Sequence, residues 1–321
     1  MRLYDEGEFE KFEERAPPEI SSADLTPVAL LLCDWGCGDV MEIVEGMPFV
    51  DPPPEDGLRT AFEILSDLGA VRKIKESGFV MTNLGRAVAR MPTHPRLAVC
   101  IASAKKESLA VAVTAAALLD DETGDRRKGG PDLSQRVRDV LRAGPDDVRG
   151  RSVVTYASRM GNGAKSAVLT AMSVPEHQSE TLGEALLPGF VDLVAHRRGN
   201  ASYESSTYML SLGRAARLDG IRDAAEYVVV ADTTTGDDGK ARIRAFAPIS
   251  DEVLDRVAVE CDTCYTGKFM SSFANTFAYL LRVRACIQST ISNRPPMPST
   301  QPWLRSPLPP RAHKPTQPKP K

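Results

Sequence analysis

No acidic residue occurs after Asp262. Residues 1–262 carry 31 Lys and Arg against all 43 Asp and Glu, a net −12; residues 263–321 carry nine basic residues and no acid, which brings the whole chain to −3. So sharp a change of charge separates two kinds of segment. The last 27 positions hold 10 prolines among Arg305, Arg311, Lys314, Lys319 and Lys321, the composition of a disordered, polyproline-like basic tail. At roughly 100–200 residues per domain the chain has room for two or three.

Several classes are excluded early. The longest apolar run, residues 109–119, is 11 residues long with one Thr, too short to cross ~30 Å of hydrocarbon, so no membrane partner is expected. Six cysteines in 321 residues are too sparse for a disulfide scaffold. The chain reads as intracellular and reduced, its compartment open. The opening MRLYDEGEFEKFEERAPPEI is rich in acid and has no basic start or apolar core, so it is not a signal peptide. It reads as a connector with one or two helical turns, ended by Pro17-Pro18.

Helical periodicity dominates the next 160 residues. Asp24 precedes an apolar helix with Pro27 in its first turn, stopped by Gly36 and Gly38. After Pro52, Pro53 and Pro54, the spacing of Leu58, Ala61, Phe62, Leu65 and Leu68 predicts a second amphipathic helix. VRKIKESGFVMT reads as a short hairpin, and Thr82 caps a helix that ends before Pro92. Helix, helix, hairpin, helix is compatible with a winged-helix unit and equally with a small α+β packing module. Pro95-Arg96 opens a helical bundle that begins with two alanine-rich helices broken near residues 106–108. After Pro188 the texture becomes β-rich, with runs at 203–212, 227–232 and 241–247, as in a small barrel or sheet domain.

Few residues offer chemistry. GNGAKS at 161–166 lacks the glycine four residues before Gly-Lys-Ser that a P-loop needs, and no buried strand precedes it; it reads as a loop. Cys261 and Cys264 are half a zinc site at most, and Cys33 and Cys37 lie on an apolar helix. His94, His177, His196 and His313 form no ligand pair and no nucleophilic triad. What remains is phosphate contact by basic clusters: Arg86, Arg90 and Arg96; Arg126, Arg127 and Lys128; His196, Arg197 and Arg198; Arg214 and Arg217. Taken singly, such a cluster is more often a solvated surface, and the acidic body argues against a broad basic face.

FVDPPPEDGLRTAFEILSDLGAV, then MTNLGRAVARMPTHPRLA, resembles the C-terminal region of DEAH-box ATP-dependent helicases. The shared features are Asp-Pro-Pro opening a helix, a Leu-Gly-Ala end, a Thr-x-x-Gly-Arg helix and Pro-x-x-Pro-Arg. LLPGFVDLVAHRRGNASYESSTYMLSLGRAARLDG, with YVVVAD and ARIRAFAPI, is similar to the HrpB-type branch. The resemblance covers residues 2–260.

The resemblance implies an α+β multidomain fold. Residues 1–25 are the end of the second RecA-like lobe and 26–95 a winged helix. Residues 96–195 form a helical ratchet and 196–262 a β-rich, OB-like domain; composition, not the resemblance, marks 263–321 as an irregular, basic Pro-rich tail. The P-loop and DEAH box are absent from this sequence, which suggests a truncated or partial gene product. ATP and magnesium are expected only for the motor lobes, and no ATP hydrolysis is expected of this chain alone. The implied partners are single-stranded RNA or DNA and helicase motor lobes, in cis or in trans. Arg96, Arg197, Arg198, Arg214 and Arg217 are the expected phosphate contacts, and Tyr203 and Tyr208 the expected stacking residues. The alternative is a non-enzymatic interaction module that uses the winged-helix surface and the basic tail.

Overall fold

The computed structural model describes residues 5, 7, 17–74, 78–120, 129–174, 182–198, 205–210, 214–221, 224–236 and 239–254. The 263–321 tail, the Arg126–Lys128 cluster, Cys261, Cys264 and Tyr203 lie outside them.

Helix α1, Thr26–Asp34, starts where the Asp24 carboxylate accepts the Thr26 N–H at 2.8 Å. Helix α2, Val40–Gly46, is capped by Asp39, which accepts from Met41 and Glu42 N–H. The three prolines lead into α3, Glu55–Asp67, which buries Leu58, Ala61, Phe62 and Leu65 as the spacing predicts. Strands β1, Val71–Lys73, and β2, Phe79–Met81, pair antiparallel. A bridge from Asp39 to Gly78, with Phe79 N–H donating to Gly38 O at 2.8 Å, adds a third short extended piece. Phe62 stacks on Phe79 with ring centroids 4.8 Å apart. Helix α4, Asn83–Val88, is capped by the Thr82 hydroxyl, which accepts from Gly85 N–H at 3.0 Å and donates to Gly69 O at 2.7 Å. A Cβ on Gly85 would overlap the Ala70 carbonyl. The Thr-x-x-Gly pattern is thus a joint that seats α4 on the hairpin.

Helix α5 is Pro95–Ser103, and α6 is Leu109–Asp120. Residues 110–117 of α6 are all buried, so this helix is the hub of the bundle; its small side chains let neighbours approach from every side. Around it lie α7, Leu133–Ala143, α8, Val148–Met160, α9, Asn162–Met172, and the short α10, Leu182–Leu186. The GNGAKS stretch corrects the sequence reading. Only Gly161, at φ +117°, interrupts the helices, and residues 162–166 already belong to α9. One left-handed glycine suffices to turn the chain.

Two 3-10 turns, Leu187–Gly189 and Val191–Leu193, lead into a closed five-stranded barrel. Its strands are β3, Val194–Arg198, β4, Ser205–Leu210, β5, Ala215–Asp219, β6, Tyr227–Thr235, and β7, Ala241–Ile249. Their order is β3-β4-β5-β7-β6, with β6 returning to β3. The β5–β7 pair is parallel and all the others are antiparallel. Strands β3 and β5 were not among the predicted runs, because VAHRR and AARLD are short and charged. Tyr208, Leu218, Val228, Val230 and Phe246 fill the barrel. A larger core runs from Leu25 to Leu254 and includes Val194, Val229 and Ala247, so the bundle and the barrel share a buried boundary. Among the described residues no helix is long and apolar enough to cross a membrane.

Candidate nucleic-acid interface

Three of the expected site residues are engaged inside the fold. Arg96 lies in the first turn of α5. Its guanidinium donates to both Asp192 oxygens, at 2.6 and 2.8 Å, and to Gly189 O at 2.9 Å. Burial alone would lower its pKa, but the Asp192 carboxylate raises it above the ordinary value. A Cβ on Gly189 would meet the Arg96 carbonyl and the Cys100 sulfur, so glycine is what lets the two segments close. Arg96 therefore locks α5 to the approach of the barrel, and its expected phosphate contact gives way to a buried ion pair. Tyr208 is fully buried and its hydroxyl donates to Ala225 O at 2.5 Å. It offers no face to a base. Arg197 stands opposite Tyr208 in the register and donates to Ala224 O at 2.9 Å. Both side chains hold the 224–225 segment across the barrel end.

The neighbouring residues in the same strands point the other way, because side chains alternate along a strand. The register places Arg198 opposite Thr207, Thr207 opposite Arg217, Arg217 opposite Arg242, and Arg242 opposite Thr234. These five residues form one row across all five strands, with neighbours about 4.8 Å apart in the pairing direction. Arg198 and Thr207 are exposed, while Arg217, Thr234 and Arg242 are half-buried. Arg217 also donates to Asp219 at 2.9 Å. Arg217 and Arg242 stand directly opposite each other in the parallel β5–β7 pair. Arg214, just before β5, is exposed.

At the β7 end the row opens into a cleft of about 400 Å³ lined by Asp219, Asp232, Thr233, Thr234, Arg242 and Arg244. Gly130 and Pro131 wall it from the bundle side, where Pro131 O accepts Phe246 N–H at 2.9 Å. Sequence reading missed Arg242 and Arg244. The signal was present in ARIRAFAPI, where two arginines interrupt an otherwise apolar strand.

No other candidate site assembles among the described residues. Among the described residues no group of three metal-ligating side chains occurs. Burial pushes the Cys100 thiol up to about 12 and the Cys33 thiol up to about 11, so neither is a nucleophile near neutral pH.

No protein-family profile matches the chain. The ATP-dependent RNA helicase HrpA of Escherichia coli is 31% identical over 125 residues, which is 38% of this chain and 9% of HrpA. The ATP-dependent RNA helicase HrpB of the same organism is 27% identical over 220 residues, 68% of this chain and 23% of HrpB. The chain is a relative of the DEAH-box RNA helicases. It spans less than a quarter of the length of these helicase relatives. The fold agrees with that kinship. A crystal structure of the Escherichia coli DExH-box NTPase HrpB covers 81% of this chain at a TM-score of 0.58 and 24% identity, and this chain covers 28% of it.

Proposed function

We propose that this chain is the accessory C-terminal part of an HrpB-type DEAH-box RNA helicase. It binds single-stranded nucleic acid on the barrel and docks on motor lobes in cis or in trans. The observation that carries this reading is the row of Arg198, Arg217 and Arg242 across the barrel's outer face. Arg217 and Arg242 on adjacent strands, with Arg198 one strand further beyond Thr207, suit phosphates of a strand laid across the sheet. The strand order, with its single parallel pair, supports an OB-like assignment for residues 196–262, and β4 and β5 are the strands such folds use for oligonucleotides. Helices α1 to α4 with the β1–β2 hairpin and the Asp39–Gly78 bridge support a winged helix over 26–95, and the bundle around α6 fits a ratchet over 96–195. Leu31 and Trp35, one turn apart on α1 and its end and each about half or more exposed, offer apolar surface for the motor.

ATP and magnesium belong to the motor in this reading. Gly161 alone joins two helices and residues 162–166 are the first turn of α9, which does not fit a nucleotide, so the chain alone is expected not to turn over ATP. A salt titration of single-stranded RNA binding by the purified chain tests the proposal. Affinity falling about 0.7 log units per log of salt for each phosphate contacted supports it; an affinity flat in salt overturns it. Steady ATP hydrolysis without added motor would overturn the division of labour.

A further inference from the structure

We infer that the cleft at the β7 end of the arginine row is a base pocket that selects a nucleobase carrying an exocyclic amino group, such as cytosine, over uracil. The inference rests on the proposed strand-binding role of the barrel face and deepens it.

Two irregularities in the β6–β7 ladder build the cleft. Val230 pairs with Phe246 and Asp232 with Ala245, which leaves Ala231 as an extra residue on β6. Thr233 then pairs with Ile243, which leaves Arg244 as an extra residue on β7. Bulges re-aim side chains, and here they turn opposite charges toward one space. Asp232 and Arg244 are both exposed and both line the cleft. Neither makes a hydrogen bond or ion pair among the described residues. By contrast, Asp219 at the rim already accepts from Arg217. A carboxylate and a guanidinium left apart in one cleft suit a ligand that presents a donor and an acceptor on the same edge.

Cytosine does this: its N4 amino group donates to a carboxylate, and its ring nitrogen and O2 accept from a guanidinium. Uracil has the same size but presents O4 where the amino group stands, so its oxygen would face the Asp232 carboxylate. The position follows from the row. A strand whose phosphates follow Arg198, Arg217 and Arg242 delivers its next base to the wall formed by Gly130 and Pro131. The volume lies at the lower end of ligand-pocket sizes, ~300–1,000 Å³.

The test measures binding of the full chain to fluorescent oligo(rC) and oligo(rU) of equal length at pH 8 and low salt. The expected result is a preference for oligo(rC) of about five- to tenfold, at the low end of one discriminating base contact. Asp232→Asn replaces an acceptor by an amide that can also donate to O4, and it is expected to bring the ratio below about twofold. Asp34→Asn, at the end of α1, serves as a control and keeps the wild-type ratio. Equal affinities in the wild type, or an unchanged ratio in Asp232→Asn, overturn the pocket while leaving the strand-binding face in place. If neither oligonucleotide binds, the strand-binding reading fails and the pocket fails with it.

Discussion

Arg96 and Arg217 each hold an aspartate, but in different media. The Arg96–Asp192 side chains are 13% and 10% exposed, and the Arg217–Asp219 side chains 43% and 42%. In the first pair the guanidinium has lost most of its water and has replaced it with Asp192 and the Gly189 carbonyl. Removing either partner leaves a buried charge uncompensated. In the second pair water still reaches both groups, so the bond is weak and exchangeable. An arginine that water can reach can trade its carboxylate for a phosphate; a desolvated and fully bonded one cannot. The same residue type therefore makes a joint in the bundle and a water-facing surface on the barrel.

The sharpest way to break this comparison is Arg96→Ala. It is expected to cost about 3–5 kcal/mol in urea unfolding. The paired change Arg96→Met with Asp192→Leu is expected to cost far less, because no charge is left buried. A loss below about 1 kcal/mol for Arg96→Ala would put Arg96 with the surface arginines.

The triple variant Arg198→Gln, Arg217→Gln, Arg242→Gln probes the other side. Stability is expected to stay within about 0.5 kcal/mol per site. The slope of log affinity against log salt for single-stranded RNA is expected to shrink by about 2, which is ~0.7 for each of the phosphates released. An unchanged slope would remove the row from the binding face.

Tyr208→Phe sharpens the inward–outward distinction within β4. It leaves Ala225 O unpaired, which is expected to cost about 1–1.5 kcal/mol in urea unfolding without changing the salt slope of RNA binding.

The smallest effect is expected at Asp24, whose carboxylate accepts from His94 Nε2 at 3.0 Å and from Thr26 N–H. The His94 hydrogen bond, foremost, holds Asp24 well below the usual carboxylate range despite partial burial. A depressed folded-state pKa means stabilisation that is complete above about pH 4 and lost as pH falls through the folded value. Asp24→Asn should therefore lower stability at neutral pH by less than about 1 kcal/mol, given the exposure of the pair. It should also flatten the acid side of the stability–pH curve, which thermal unfolding at several pH values would check.

Much of the fold was legible because short-range physics writes it. Asp24, Asp39, Thr82, Asp132 and Asp147 all place side-chain oxygens on helix-start N–H groups, and the α3 spacing predicted its buried face. Strands β3 and β5 were not legible, since five residues with two charges satisfy no periodicity until neighbours pair with them. The candidate site was legible in part. Arg198 and Arg217 lie in the outer row, whereas Arg96, Arg197 and Tyr208 turned inward. Arg242 and Arg244 were overlooked because they stand in a strand noted for its apolar residues.

By itself the sequence determined where helices begin, where the chain turns at glycine, and the kinship with DEAH-box helicases carried by Thr-x-x-Gly-Arg and Pro-x-x-Pro-Arg. Only the tertiary structure decided what those motif residues do. Gly85 and Gly189 are sites of close approach, and Arg96 is a clamp. It also decided which arginines meet water. Charge is a property of the residue, but solvation is a property of the place, and strand register sets that place: one step along β3 separates Arg197, bonded across the barrel end, from Arg198 in the open row.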